Sequence, residues 1–336
     1  MRNKPSRERN HIREYASDLV ARLVEVLYEN FQKLGTEEDI EYLHDMRVAS
    51  RRLREALVFF SFLQEGAKLE KAINRIREIT RTLGQSREMD VNLDLLSGFQ
   101  PPPDPGTEAV REHFLELFAL ERQRIRKHMD KGLKEMKLKE RKTGFLKAAR
   151  NFLLEPTSST QASNGPVVAS LDTFSDRAET AIRSRLSGLE EFDGIDAGPS
   201  NDAALHRLRI RVKKFRYTLE ICDPLYENQF ASALDLAKAL QDLLGRIHDY
   251  GVLIARLSRE HASLEENCRW HLLEGSGIII RLLEEAKSKY YPQFCPAYVA
   301  FVKEVSTCLS AKDPILSRRS TQDAPQLEIP NPFIDF

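Results

Sequence analysis

Residues 43–54 read Leu43-His44-Asp45-Met46-Arg47-Val48-Ala49-Ser50-Arg51-Arg52-Leu53-Arg54, and they decide the fold because the chain carries the pattern twice. The counterpart is Leu205-His206-Arg207-Leu208-Arg209-Ile210-Arg211-Val212-Lys213-Lys214-Phe215-Arg216, displaced by 162 positions. A second pair follows at nearly the same offset. Leu83-Gly84 and Val91 match Leu244-Gly245 and Val252, displaced by 161. Two separate matches at one spacing mark a tandem duplication with roughly 160 residues per unit.

Both copies wind naturally as helices. At about 100° per residue, His44, Arg47, Arg51 and Arg54 fall within an arc of about 80°. Leu43, Met46, Ser50, Leu53 and Leu57 form an adjoining, mostly apolar stripe. The second copy sets His206, Arg209, Lys213 and Arg216 beside Leu205, Leu208, Val212, Phe215 and Leu219. An apolar stripe of this kind packs into a bundle, and the basic stripe runs along its border. Arg52 and Lys214 extend the basic stripe away from the core.

Outward from these motifs, helical periodicity covers nearly the whole chain. It predicts helices over 12–34, from Thr36 onward, and over 68–84, 86–98, 107–137, 143–154, 168–191, 201–222, 227–245, 247–263, 264–289 and 293–311. No alternating strand pattern is present, so the expected fold class is all-α: a tandem duplication forming two pseudo-symmetric antiparallel helical bundles. The small, polar, proline-bounded run 156–166 reads as a linker. It separates a first bundle over 10–155 from a second over 167–312, and 313–336 reads as an extended tail.

Composition narrows the class. The 336 residues hold 30% charged and 41% hydrophobic side chains, a globular balance. No apolar run approaches the roughly 20 residues of a membrane helix, and the polar stretch Met1–Asn10 has no apolar segment of a secretory signal. The four cysteines, Cys222, Cys268, Cys295 and Cys308, show no CxxC spacing and read as reduced thiols. The expectation is a cytoplasmic protein.

The stripes point to an anion. Surface helices usually interleave opposite charges, yet 206–216 holds six basic residues and no acid, and 44–54 holds four with only Asp45. Arginines in a row on a rigid helix suit phosphate oxygens. Each stripe runs about 15 Å, which fits an extended polyanion better than one nucleotide. No GxxxxGK[ST] or GxGxxG loop is present, and no cofactor motif. Stacking aromatics are absent from the stripes apart from the neighbouring Phe215 and Tyr217, which argues against nucleic acid.

These residues resemble the CHAD family, the conserved-histidine α-helical domain. Its hallmarks, H-x-x-R-[VI]-x-x-[RK]-[RK]-x-R and downstream LG-x-x-[RH]-D-x-[DG]-V, appear here as His44–Arg54 with Leu83–Val91 and as His206–Arg216 with Leu244–Val252. The resemblance covers about residues 10–310. It implies two helical bundles around a basic central cavity that binds inorganic polyphosphate without chemistry of its own. Carried over by position, His44, Arg47, Arg51, Arg52 and Arg54 stand as first-half ligands. His206, Arg209, Lys213, Lys214 and Arg216 stand as their second-half partners. Lys71 with Arg75, or Arg77 with Arg81, are further candidates on the helix that follows the first motif. The sequence departs from the pattern at Glu88, where the family prefers Asp, and at Arg87, where the second half has His248.

Two other readings stand beside this one. His248-Asp249 and His44-Asp45 invite a metal-dependent phosphohydrolase, although the dipeptides are not copies of each other and further ligands are unassigned. A third reading is a scaffold for polyphosphate-metabolising enzymes, with the tail from Asp313 as contact. Whether His44 and His206 touch ligand or hold helices stays open at this level, and no motif bears on oligomeric state. A run of Arg122, Arg124, Arg126 and Lys127 reads as a solvated face, partly neutralised by Glu116 and Glu121.

Charge distribution sharpens the choice. The 51 Lys and Arg cancel 51 Asp and Glu, yet the two motifs alone carry +9 and the remaining 314 residues −9. An acidic body with two basic stripes directs a polyanion toward the stripes.

Overall fold

The computed structural model describes residues 4–34, 39–63, 67–101, 104–137, 171–226 and 228–310. Among these residues the protein is all-α, with no strand. In chain order the helices are α1 (Lys4–Lys33), α2 (Asp39–Phe59), α3 (Ala67–Gly98), α4 (Pro105–Glu135), α5 (Leu171–Glu190), α6 (Asp202–Cys222), α7 (Ala231–Glu266), α8 (Trp270–Ser288) and α9 (Tyr291–Ser310). The expected linker, the 143–154 helix and the tail lie outside the described residues.

The expected periodicities produce these elements. On α1, Ile12, Tyr15, Ala16, Leu19, Val20, Leu23, Val24 and Leu27 are buried along one face. At the start of α4 the Asp104 side chain accepts a hydrogen bond from the Thr107 N–H at 3.0 Å, with Pro105 in the first turn. Three expected breaks between helices change. The breaks expected after residues 84 and 245 do not occur, and α3 and α7 run unbroken through both glycines. Neither region holds a proline, and both glycines sit inside continuous helix rather than in turns.

The helix expected over 264–289 instead breaks between Glu266 and Trp270. There the Arg269 N–H reaches the Leu264 carbonyl at 2.9 Å and the Cys268 N–H reaches that of Glu265 at 3.1 Å. This is a Schellman closure, which places its C′ residue in the left-handed region. Cys268 occupies it with φ 54°.

Neighbouring helices pack in sequence, α1 on α2, α2 on α3 and α3 on α4, then α5 on α6, α6 on α7 and α7 on α8, with α9 closing against α7. Across the halves α2 meets α6, α3 meets α7 and α4 meets α8. The larger apolar cluster draws on α1, α2, α5, α6 and α9 and ends at Leu83, Leu244 and Ile247. A second cluster begins at Met89 and Leu253 and is built from α3, α4, α7 and α8. At its far end α4 and α8 approach so closely that a Cβ on Gly275 would meet the Gly106 carbonyl oxygen at 2.7 Å. Residues 84–88 and 245–251 therefore lie at a waist between two apolar clusters, where α2, α3, α6 and α7 come together.

Candidate functional site

The duplicated motifs face each other at this waist. From α2 come His44, Arg47 and Arg51; from α6 come His206, Arg209 and Lys213. The downstream segments add Arg87 from α3, and His248 and Asp249 from α7. Arg47 crosses α3 at Gly84, where an added Cβ would meet its guanidinium at 3.0 Å, and Arg209 crosses α7 at Gly245, with its Nε 3.9 Å from such a Cβ. In the first half the glycine of the second motif thus makes room for the arginine of the first, while at Gly245 a side chain would only touch Arg209.

The cluster is crowded with like charge. Burial first, and then Arg51, Arg209 and Arg87, push the Arg47 guanidinium down to about 9, with Tyr217 opposing. Burial and then Arg209, Arg51 and Arg47 bring the Lys213 ammonium down to about 6, against the opposite pull of Asp249. Arg209 is also lowered by burial, while Asp249, 3.7 Å away, draws it back up. His44 falls to about 4 through burial and the charges of Arg87, Arg47, Arg51 and Lys213. Removal from water disfavours a charged form and nearby cations add to that. Asp249 is the carboxylate facing this group of cations, and its own pKa is raised by burial in spite of them. The Arg209 Nε is buried and has no hydrogen-bond partner among the described residues. Such a group gains from an incoming anion that supplies both charge and acceptors.

His206 and His248 meet directly, with Nδ1 atoms 3.0 Å apart and ring centroids 4.4 Å apart. Both line a cleft of about 340 Å³ with Asp202, Leu205, Ile247 and Val252. Burial lowers both rings, that of His248 to about 3, with Arg209, His206, Lys213 and Lys287 adding to it.

Other sequence candidates have different placements. Arg52 forms a two-pronged pair with Glu220, Nε to Oε2 at 2.9 Å and Nη2 to Oε1 at 3.0 Å. Arg216, with only 6% of its side chain exposed, reaches the same carboxylate at 3.3 Å. Glu220 thus clamps the motif helices α2 and α6 to each other. Arg54 pairs with Glu55 at 3.2 Å, and Glu55 also holds Arg185 of α5 at 3.1 Å. Lys214 is exposed. On α3, Lys71, Arg77 and Arg81 are exposed, and Arg75 donates to the Met136 carbonyl at the end of α4.

The basic run on α4 is corrected as well. Arg122 and Arg126 both pair with the buried Asp90, at 2.6 and 3.0 Å, while Glu121 pairs with Arg256 of α7. Two members of this face are therefore tied to α3 rather than solvated beside Glu116 and Glu121.

Sequence reasoning placed Arg87, Tyr217 and Asp249 outside the ligand set. The signal for Arg87 and Asp249 was their position in the repeated downstream segment, next to residues aligned with one another. For Tyr217, one position beyond the motif, there was none. Among the described residues, no three His, Cys, Asp or Glu side chains gather as a metal site would require. No helix among them is long and apolar enough to cross a membrane.

A helical protein whose two copies of one motif join their cations at a waist is the class that this fold and site define. Comparison with known proteins fits it. The family model of the CHAD domain matches residues 7–258. The chain belongs to the CHAD-domain family. Its structure is similar to the crystal structure of the CHAD domain from the plant Ricinus communis, with TM-score 0.58 and 21% identity over 90% of this chain and 92% of that one. It is also similar to PptA from Streptomyces chartreusis, with TM-score 0.54 and 16% identity over 88% of this chain and 99% of the other. At these identities the likeness is one of fold. None of the curated proteins matches the chain.

Proposed function

We propose that the protein is a cytoplasmic, non-catalytic binder of inorganic polyphosphate, held where α2 and α6 meet. One observation carries the reading. Arg47, Arg51, Arg209 and Lys213 are gathered in partial burial, and burial first, then the charges of Arg209, Arg51 and Arg47, bring Lys213 down to about 6. Holding such cations together in partial burial is unfavourable without a counter-anion, and a chain of phosphates supplies one charge per unit along its length. Two helices contribute donors from opposite sides, which suits an extended ligand. Arginine forks take phosphate oxygens in pairs while Lys213 acts as a point charge. Membership of the CHAD family supports the choice of ligand. Enzymes that make or consume polyphosphate are the expected partners.

Titration with inorganic polyphosphates of graded length, against duplex DNA and ATP, tests the reading. Affinity rising with chain length, little binding of DNA, and no phosphate release with or without a divalent metal are the expected results. Equal affinity for DNA and polyphosphate of matched charge contradicts the choice of ligand, and metal-stimulated phosphate release contradicts the non-catalytic assignment.

A further inference from the structure

The 3.0 Å contact between His206 Nδ1 and His248 Nδ1 restricts the protons of both rings. A hydrogen bond between two ring nitrogens needs a hydrogen on one and a lone pair on the other. In the neutral pair one ring therefore carries its hydrogen on Nδ1, leaving its Nε2 with a lone pair. The second ring accepts at Nδ1 and carries its hydrogen on Nε2. One additional proton fits without breaking the contact, because it enters at the open Nε2 of the donor ring. The product is an imidazolium hydrogen-bonded to an imidazole. A second proton would set two N–H groups against each other and force the rings apart.

The surroundings keep the pair neutral in the empty protein. Burial first, and then Arg209 and Lys213 of α6, disfavour the charged form of both rings, and Lys287 of α8 adds to this at His248. The acidic groups nearby are engaged by cations. Asp249 feels Arg209, Lys213, Arg87 and Arg246, and Asp202 is paired with Lys287 and accepts a hydrogen bond from the Tyr291 hydroxyl at 2.7 Å. A polyanion laid across Arg209 and Lys213 reverses this local field. The cleft of about 340 Å³ that both imidazoles line gives solvent protons a route to them.

We propose that the His206–His248 pair takes up one proton when a polyanion binds, becoming a shared imidazolium–imidazole donor beside the phosphates. This rests on the polyphosphate reading of the same site. The pair then couples affinity to pH. Each proton taken up on binding strengthens affinity about tenfold per pH unit of acidification, over the range where the free pair is neutral and the bound pair charged. The ordinary imidazole value of about 6.5 places that range on the acid side of neutrality.

Calorimetric titration with a medium-length inorganic polyphosphate at pH 6, in buffers of different ionisation enthalpy, counts the protons taken up. Wild type is expected to take up about one proton more than the double variant His206→Asn with His248→Asn, whose amides cannot hold it. Lys213 is present in both proteins, so its own uptake cancels. Nitrogen NMR of the wild-type imidazoles is an independent readout that needs no variant. The free protein should show one Nδ1–H and one Nε2–H tautomer, and the complex at pH 6 one imidazolium. Two neutral rings in the complex, or equal proton uptake by wild type and the double variant, overturn the proposal while leaving polyphosphate binding intact. Failure of wild type to bind polyphosphate at all overturns the underlying reading and this proposal with it.

Discussion

Arg47 of α2 lies against Gly84 of α3 so closely that a Cβ there would meet its guanidinium at 3.0 Å. Two motifs on different helices are therefore one structural unit, and stability and binding respond to this glycine with opposite signs. Alanine in place of an interior helical glycine adds about 1 kcal/mol of helix propensity. Its methyl group also displaces the flexible end of Arg47 from the cluster. Gly84→Ala is expected to leave thermal stability unchanged or higher while weakening polyphosphate binding several-fold. A loss of stability with unchanged affinity would show that the glycine serves packing alone.

Glu220 separates clamp from ligand set. It neutralises Arg52 and Arg216, which are 11% and 6% exposed in their side chains. Removing one member of such a partly buried network leaves uncompensated charge, worth up to about 3 kcal/mol. Glu220→Ala should lower the unfolding free energy by that order. Polyphosphate affinity of the folded fraction should stay within about twofold, the change expected of less than half a kcal/mol. Denaturant unfolding and titration on the same preparation measure both. If affinity rises strongly, the two arginines are freed for ligand and belong to the binding set.

Lys213 gives binding a pH dependence. With its value pulled to about 6 by burial and then by Arg209, Arg51 and Arg47, the free amine is mostly neutral at pH 8. A bound polyanion favours its charged form, so binding takes up a proton above pH 6 and weakens as pH rises from 6 to 8. Lys213→Arg keeps its charge through this range. Affinity of the variant should change less between pH 6 and 8 than that of wild type, by up to about tenfold per pH unit. Identical pH profiles would remove Lys213 from the site.

The same direction bears on folding without ligand. Lys213, His44 and His248 all have values lower in the folded chain than in the unfolded one. The unfolded state then binds more protons, so stability falls as pH drops, through Lys213 until about pH 6 and through His44 and His248 from about 6.5 toward 4. Polyphosphate should restore much of the lost melting temperature. A melting temperature that rises on acidification contradicts the burial of these cations.

Cys268 offers a test away from the site. Its φ of 54° lies in the left-handed region, at the position of the α7–α8 turn that glycine ordinarily fills. Cys268→Gly should stabilise the protein by up to about 1 kcal/mol, read by thermal unfolding, with binding unchanged.

Much of this was legible in the sequence, and for identifiable reasons. The period of Leu43, Met46, Leu53 and Leu57 marks a buried helix face whatever surrounds it, and the duplication repeats it at fixed spacing. Gly84 and Gly245 misled because glycine interrupts helices in isolation; for Gly84 the reason for its presence sits on another helix, in Arg47. The ligand set was blurred for a related reason. His44, Arg47, Arg51, Arg52 and Arg54 occupy one motif, but carboxylates join Arg52 and Arg54 to other helices. Asp249 faces Arg209, Glu220 takes Arg52, and Glu55 joins Arg54 to Arg185. Helical spacing fixes which residues share a face, and only packing between helices decides which carboxylate reaches them.

The most direct measurement is the salt dependence of polyphosphate affinity for wild type and for the double variant Arg51→Glu with Lys213→Glu. Binding by several cations releases counterions, so affinity falls steeply with salt and the slope counts the contacts. The account predicts a steep slope for wild type, and for the double variant a shallower slope with affinity lower by at least about 100-fold, several kcal/mol of lost ion contacts. Equal affinity and equal slope in the two proteins would contradict the claim that the waist between α2 and α6 holds the polyanion.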